Sequence, residues 1–138
     1  MRKPTTRKAA KRRAWEAISQ YIRRSTSRGP FPMCVTCDYT ARYQDMHCGH
    51  FQHGLTYGKD ADGKPFVWEE NLHVQCPRCN TFNGGMLDKY TLYMIDMYGR
   101  SFVEELQIER HKPVKMSIDD YWQIEQEYRE RLGEVLQE

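Results

Sequence analysis

Apolar residues recur at helical spacing near the start of the chain. Trp15, Ile18, Tyr21 and Ile22 fall on one face and predict a helix from about Ala10 to Arg24. Residues 1–9 carry no such pattern and are expected to be flexible. Residues 25–32 contain Ser, Gly and two Pro and read as a linker. A short β-hairpin or extended segment is expected around Arg42 to Phe51. Residues 54–65 read as a polar loop, and their Asp-x-Asp-Gly lacks the rest of a twelve-residue calcium loop. Asn83-Gly84-Gly85 predicts a turn. A helix follows from about Leu87 to Tyr98 with Gly99 as its stop, then a shorter one over 101–109 broken by His111-Lys112-Pro113. Ser117 is placed as an N-cap with Asp120 three residues on. The last helix then runs from about Ile118 to Leu136 and buries Tyr121, Trp122, Tyr128, Leu132 and Val135.

These elements describe an α+β chain of 138 residues, 39% hydrophobic and 29% charged. A core of that composition is modest, which leaves room for a metal staple. Residues 1–28 are expected to form a basic N-terminal arm and helix, and residues 29–138 the main domain. No apolar run reaches the roughly 18 residues of a membrane span. The basic N-terminus lacks the apolar stretch of a secretory signal, and a cytoplasmic protein is expected.

The net charge of +2 conceals an asymmetry. Residues 1–28 hold ten Lys or Arg against Glu16 alone, a charge of +9, so the remainder carries −7. A basic arm on an acidic body points to a polyanion, most simply DNA. Lys8, Lys11, Arg12, Arg13, Arg23 and Arg24 are the candidate phosphate contacts.

Cysteine spacing supplies the strongest motif. Cys34-x-x-Cys37 and Cys76-x-x-Cys79 form two knuckles with 38 residues between Cys37 and Cys76. Four thiolates so arranged suit one closed tetrahedral Zn2+ site of structural type. Five cysteines, an odd number, fit disulfide pairing poorly. Cys48 is left over, either a small core residue or an alternative ligand beside His47.

Between and after the knuckles lie residues suited to phosphodiester hydrolysis, which needs an activated water and charge stabilisation on the phosphate. His50 is the candidate base. Asn71, 21 residues later, can hydrogen-bond the backbone around His50. Asn80 directly follows Cys79 and offers an amide oxygen to a hard cation such as Mg2+ or Mn2+. His47, His53 and Asp45 are the other candidate ligands of a catalytic metal, and His73 is expected to pack or face elsewhere.

The string CxxC…GHF…NLHVQCPRCN…GG resembles the HNH-type nucleases of the Rap/NinG recombination protein family encoded by lambdoid phages, over roughly residues 14–135. That resemblance implies a zinc-stapled ββα-metal core (HNH, or His-Me finger) flanked by N- and C-terminal helices. It implies metal-dependent cleavage of branched DNA, Holliday junctions included, in the cytoplasm of a bacterial host. By the same resemblance His50 takes the general-base position, Asn71 the central asparagine and Asn80 the third position, an HNN variant. Gly49 stands where many HNH enzymes carry an acidic metal ligand. His47 stands where relatives carry an acid, which favours manganese or nickel over magnesium. A homodimer would allow paired cuts across a junction. Two other functions fit the same residues: a non-catalytic zinc-dependent DNA-binding module, and an adaptor whose aromatic C-terminal helix docks a partner.

Overall fold

The computed structural model describes residues 1–25 and 31–137. Most of the linker expected at 25–32, Arg28 and the boundary placed between 28 and 29 lie outside the described residues. Four helices, α1 (Arg7–Ser25), α2 (Leu87–Tyr98), α3 (Arg100–Glu109) and α4 (Ile118–Gln137), surround two small antiparallel sheets. One sheet pairs β1 (His47–His50) with β4 (Leu72–Gln75), and the other pairs β2 (Tyr57–Lys59) with β3 (Pro65–Val67). The fold is thus mixed α and β.

α1 starts three residues earlier than its apolar stripe suggests. Its buried face is Ala10, Ala14, Ala17, Ile18 and Ile22, while Trp15 and Tyr21 sit at the rim. Small alanines let α1 lie close against α4, which presents Tyr121, Ile124 and Tyr128. Each of those three large side chains contributes about 1.5–3 kcal/mol by burial. The two helices enclose a charged pair as well. Glu125 is fully buried and accepts from Arg13 (3.1 Å) and Arg129 (2.7 Å). Trp122, Leu132 and Val135, expected inside, are only half-buried, because Ile124 and Glu125 take the centre of the face.

Other expectations change on contact with tertiary structure. Residues 1–9 are not free, since Arg7 donates to the Met116 carbonyl (3.1 Å) and Lys3 pairs with Asp119. The extended segment expected within 42–51 is β1, but it forms no local hairpin and pairs with β4, some 25 residues away. The loop at 54–65 is largely the β2–β3 hairpin, and Asp60 makes its turn by accepting from the Asp62 and Lys64 amides at 2.9 Å. Expected and observed elements agree for α2, its Gly99 stop and α3 to within a residue. Ser117 and Asp120 form a complete reciprocal capping box (3.1 and 2.8 Å).

Two cores result. One joins α1, α4, the knuckles and the β1–β4 pair. The second joins Phe51 and Leu55, just after β1, to Tyr90 and Met94 of α2 and Val103 and Leu106 of α3. His50 lies at the end of β1, between them.

Candidate nucleic-acid and metal sites

The Cys34, Cys37, Cys76 and Cys79 sulfurs all lie within 4.8 Å of one another. Cys37 and Cys76 are 3.6 Å apart, close to the roughly 3.8 Å edge of a tetrahedron with Zn–S bonds of about 2.3 Å. The first knuckle is a tight turn closed by Asp38 N–H to the Cys34 carbonyl, with Asp38 at φ 66°. The second follows β4 directly and leads into a helical turn, Arg78–Phe82. Without a cation two of the four thiols, Cys37 and Cys79, resist ionisation. Burial pushes Cys37 up to about 12 and raises Cys79, while at Cys34 hydrogen bonds from Thr36 and the backbone outweigh burial and bring it to about 7. A dication reverses that preference, so donor chemistry and spacing fit zinc. Cys48 stands apart as a core residue, its thiol pushed up to about 12 by burial.

His50 projects from β1 into a cavity of about 460 Å3. Trp15 of α1 stacks on its ring (centroids 4.9 Å, planes 20° apart), and Thr56 Oγ1 lies 2.8 Å from Nε2. Plane and rotation of the imidazole are therefore both fixed. Burial, with His53 second, lowers its pKa to about 4, so the ring is neutral at pH 7. Lys11, Arg110, Lys112 and His53 share the cavity wall, and among the described residues no carboxylate lines it. A neutral base in a cationic recess suits an anionic substrate.

Asn71 holds the loop that follows His50. It is fully buried, its Oδ1 accepts from Gln52 N–H (2.8 Å), and Nδ2 donates to the Gln52 (3.0 Å) and Leu55 (2.7 Å) carbonyls. Asn71→Ala would strand three buried backbone groups at about 1–3 kcal/mol each. A loss of roughly 3–5 kcal/mol in unfolding free energy is expected, measured by urea denaturation. A loss under about 1 kcal/mol would mean that water replaces the amide.

His73 is a packing residue. Tyr90 donates its hydroxyl to the Gly49 carbonyl (2.9 Å), so His73 must donate to Tyr90 from Nδ1 (3.1 Å) and accept from Tyr98 at Nε2 (3.0 Å). That chain fixes the peptide before His50, and burial holds His73 neutral, lowered to about 4.

Of the other candidate metal ligands, His53 lines the His50 cavity, while His47, Asn80 and Asp45 are not gathered around His50. Alternation along β1 puts His47 and Gly49 on the face opposite His50. There His47 Nδ1 lies 3.0 Å from Asn80 Nδ2. A Cβ at Gly49 would come 2.0 Å from Gln75 Oε1 and 3.1 Å from Asn80 Oδ1, so any side chain there would require Gln75 to move. Gln75 is fully buried and its Oε1 has no hydrogen-bond partner among the described residues. Sequence reasoning passed over it. Asp45 lies on an exposed turn, paired with Arg42. Among the described residues, only the four cysteines form a group of three or more His, Cys, Asp or Glu side chains. A hard Mg2+ draws its affinity from anionic oxygens, and the neutral donors of His47, Asn80 and Gln75 do not fit it. Manganese, a carboxylate-seeking ion, is served no better.

The candidate phosphate contacts divide in two. Lys8, Lys11 and Arg12 are exposed, and at helical spacing they lead along α1 to Trp15 and the His50 cavity. Arg13 is committed to Glu125 and to the Trp122 ring. Arg23 donates to the Ser19 and Tyr43 carbonyls, and Arg24 lies 4.4 Å over the Tyr43 ring. These three build α1 into the fold.

A family model described as Bacteriophage Lambda NinG protein matches residues 2–138. "Protein ninG" of Salmonella phage P22 is 26% identical over 125 residues, covering 90% of this chain and 56% of that protein. "Protein ninG" of Escherichia phage lambda is 25% identical over 124 residues with the same coverage. The chain therefore spans little more than half the length of these relatives. No solved structure matches it.

Proposed function

The chain belongs to the NinG family of bacteriophage proteins, and from that membership and the chemistry of the His50 cavity we propose that it is an endonuclease acting on DNA, branched DNA in particular. The observation that carries this reading is a neutral, orientation-locked imidazole in a recess lined by Lys11, Arg110 and Lys112. His50 accepts a proton from water, the water oxygen bonds to phosphorus, and the bond to the 3′ oxygen breaks. That oxygen leaves with a proton from solvent. The cations hold the non-bridging oxygens as charge builds on them. Zinc at the four cysteines supplies structure. HNH-type resemblance also calls for a catalytic ion such as Mg2+ or Mn2+. The donors near His50 do not form a set for one.

The test is cleavage of a four-way junction and of linear duplex DNA, with Mg2+ and with Mn2+. Cutting of the junction in preference to the duplex supports the reading. Equal cutting removes the branched-DNA part of it. Tight binding without cutting under either ion replaces it with the non-catalytic DNA-binding module, which the carboxylate-free cavity also favours.

The exposed stripe on α1 gives a separate expectation. Replacing Lys8, Lys11 and Arg12 together with Gln should lower the slope of log affinity against log salt by about 2.7 on duplex DNA, at about 0.9 per phosphate lost. An unchanged slope would place the DNA backbone on another face. Arg13→Gln should instead act on stability, because it leaves Glu125 buried with one partner fewer.

A further inference from the structure

We propose that Arg110 is the phosphate-holding residue opposite His50, and that Gln52 positions it. This inference rests on the His50 cavity being the site of phosphodiester hydrolysis. Its starting point is the helical register of α3. Val103 and Leu106 are buried against Phe51 and Leu55, the segment that directly follows His50. Arg110 lies four residues beyond Leu106 on the same helical face. Packing of α3 therefore carries the guanidinium to the rim of the same cavity, although 60 residues separate it from His50 in sequence.

There it is not loose. Arg110 Nη1 donates to Gln52 Oε1 at 3.0 Å. Gln52 is itself buried, and Asn71 grips both its N–H and its carbonyl. Thus the loop after His50 fixes the ring that would take the proton and the cation that would take the charge. Arg110 is otherwise exposed and pairs with no carboxylate among the described residues, so its other N–H groups are left for an anion in the cavity it lines. Lys112, which also lines the cavity, already pairs with Glu109 at 2.8 Å, and Lys11 reaches the cavity from α1. A guanidinium offers a planar fork that grips two phosphate oxygens at once.

The experiment uses the full chain with four-way junction DNA and two readouts. One is the salt dependence of binding in a His50→Ala background without added divalent ion. The other is the single-turnover cleavage rate at saturating DNA. Arg110→Ala should lower the salt slope by about 0.9 and the rate by about 100-fold. Arg110→Lys should restore the slope and only part of the rate. Gln52→Ala should keep the slope, since the charge remains, and still reduce the rate, with thermal unfolding confirming that it folds. Wild-type slope and rate in Arg110→Ala would overturn the proposal. Wild-type rate in a folded Gln52→Ala would overturn the positioning role. If the unaltered protein cuts nothing, the nuclease reading fails and the slope alone decides whether Arg110 meets phosphate: a drop supports the contact, an unchanged slope refutes it.

Discussion

Cys76→Ser is expected to yield unfolded or insoluble protein that retains no zinc. Cys76 directly follows β4, is almost fully buried, and accepts the Cys79 N–H at 3.4 Å, so it ties the end of the strand, the knuckle and the core together. Structural zinc in small domains contributes about 10–16 kcal/mol of apparent binding energy at pH 7, against a whole-domain stability of about 5–15 kcal/mol. Losing one thiolate removes enough of that energy to unfold a chain with this small a core. The damage would also spread. The two knuckles pin together segments nearly 40 residues apart, and between them lie β1, the hairpin and β4, on which the position of His50 depends. Circular dichroism and zinc content of the purified variant are the measurements. A soluble, folded variant with the thermal midpoint of the unaltered protein would mean that the four sulfurs meet for another reason.

How far the sequence could be read follows from where its information lies. The knuckles were legible because CxxC spacing restricts geometry by itself, and the sulfurs converge as that spacing demands. α2, α3 and the capping box were legible because their signals are local. The α1–α4 interface was not, because alanines carry no periodic signal of their own, and Glu125 is tolerated inside only because Arg13 and Arg129 come to it from two helices. Asn71's reach to the backbone after His50 was legible only as one of two uses of its amide, the other being to cap the turn before the second knuckle. What spacing could not give was the side of β1 on which each residue falls. A one-residue step reverses the face of a strand. His47 and Asn80 therefore meet each other rather than His50, and Gln75, two residues along the strand from His73, fills the space of the absent acid. Arg110 was hidden for a related reason. Its helical register points at the cavity only after α3 has packed on Phe51 and Leu55.

His50→Ala is expected to reduce junction cleavage by about 10²–10⁴-fold, the range ordinarily lost with a general base, and to leave junction binding within a few fold. The ring touches Trp15 and Thr56 and makes no ion pair among the described residues, so its removal takes away the base while Lys11, Arg110 and Lys112 remain to hold DNA. The pH dependence gives a sharper signature. Burial, then His53, lowers His50 from 6.5 to about 4 in the free protein. The base form is then complete above about pH 5, and kcat/KM should be flat in its His50 contribution through pH 6–8 and fall only below that. An ordinary histidine would already lose half its activity at pH 6.5. Bound phosphate favours the protonated ring, so kcat should fall at a higher pH than kcat/KM does. Stability moves in the same direction. Between about pH 4 and 6.5 the unfolded chain binds a proton that folded His50 and His73 do not. Stability is therefore complete above 6.5 and declines as the pH falls through that window. A kcat/KM profile with a single inflection near 6.5, lost in His50→Ala, would place the catalytic imidazole in open solvent. Cleavage by His50→Ala at the unaltered rate would remove His50 from the chemistry altogether.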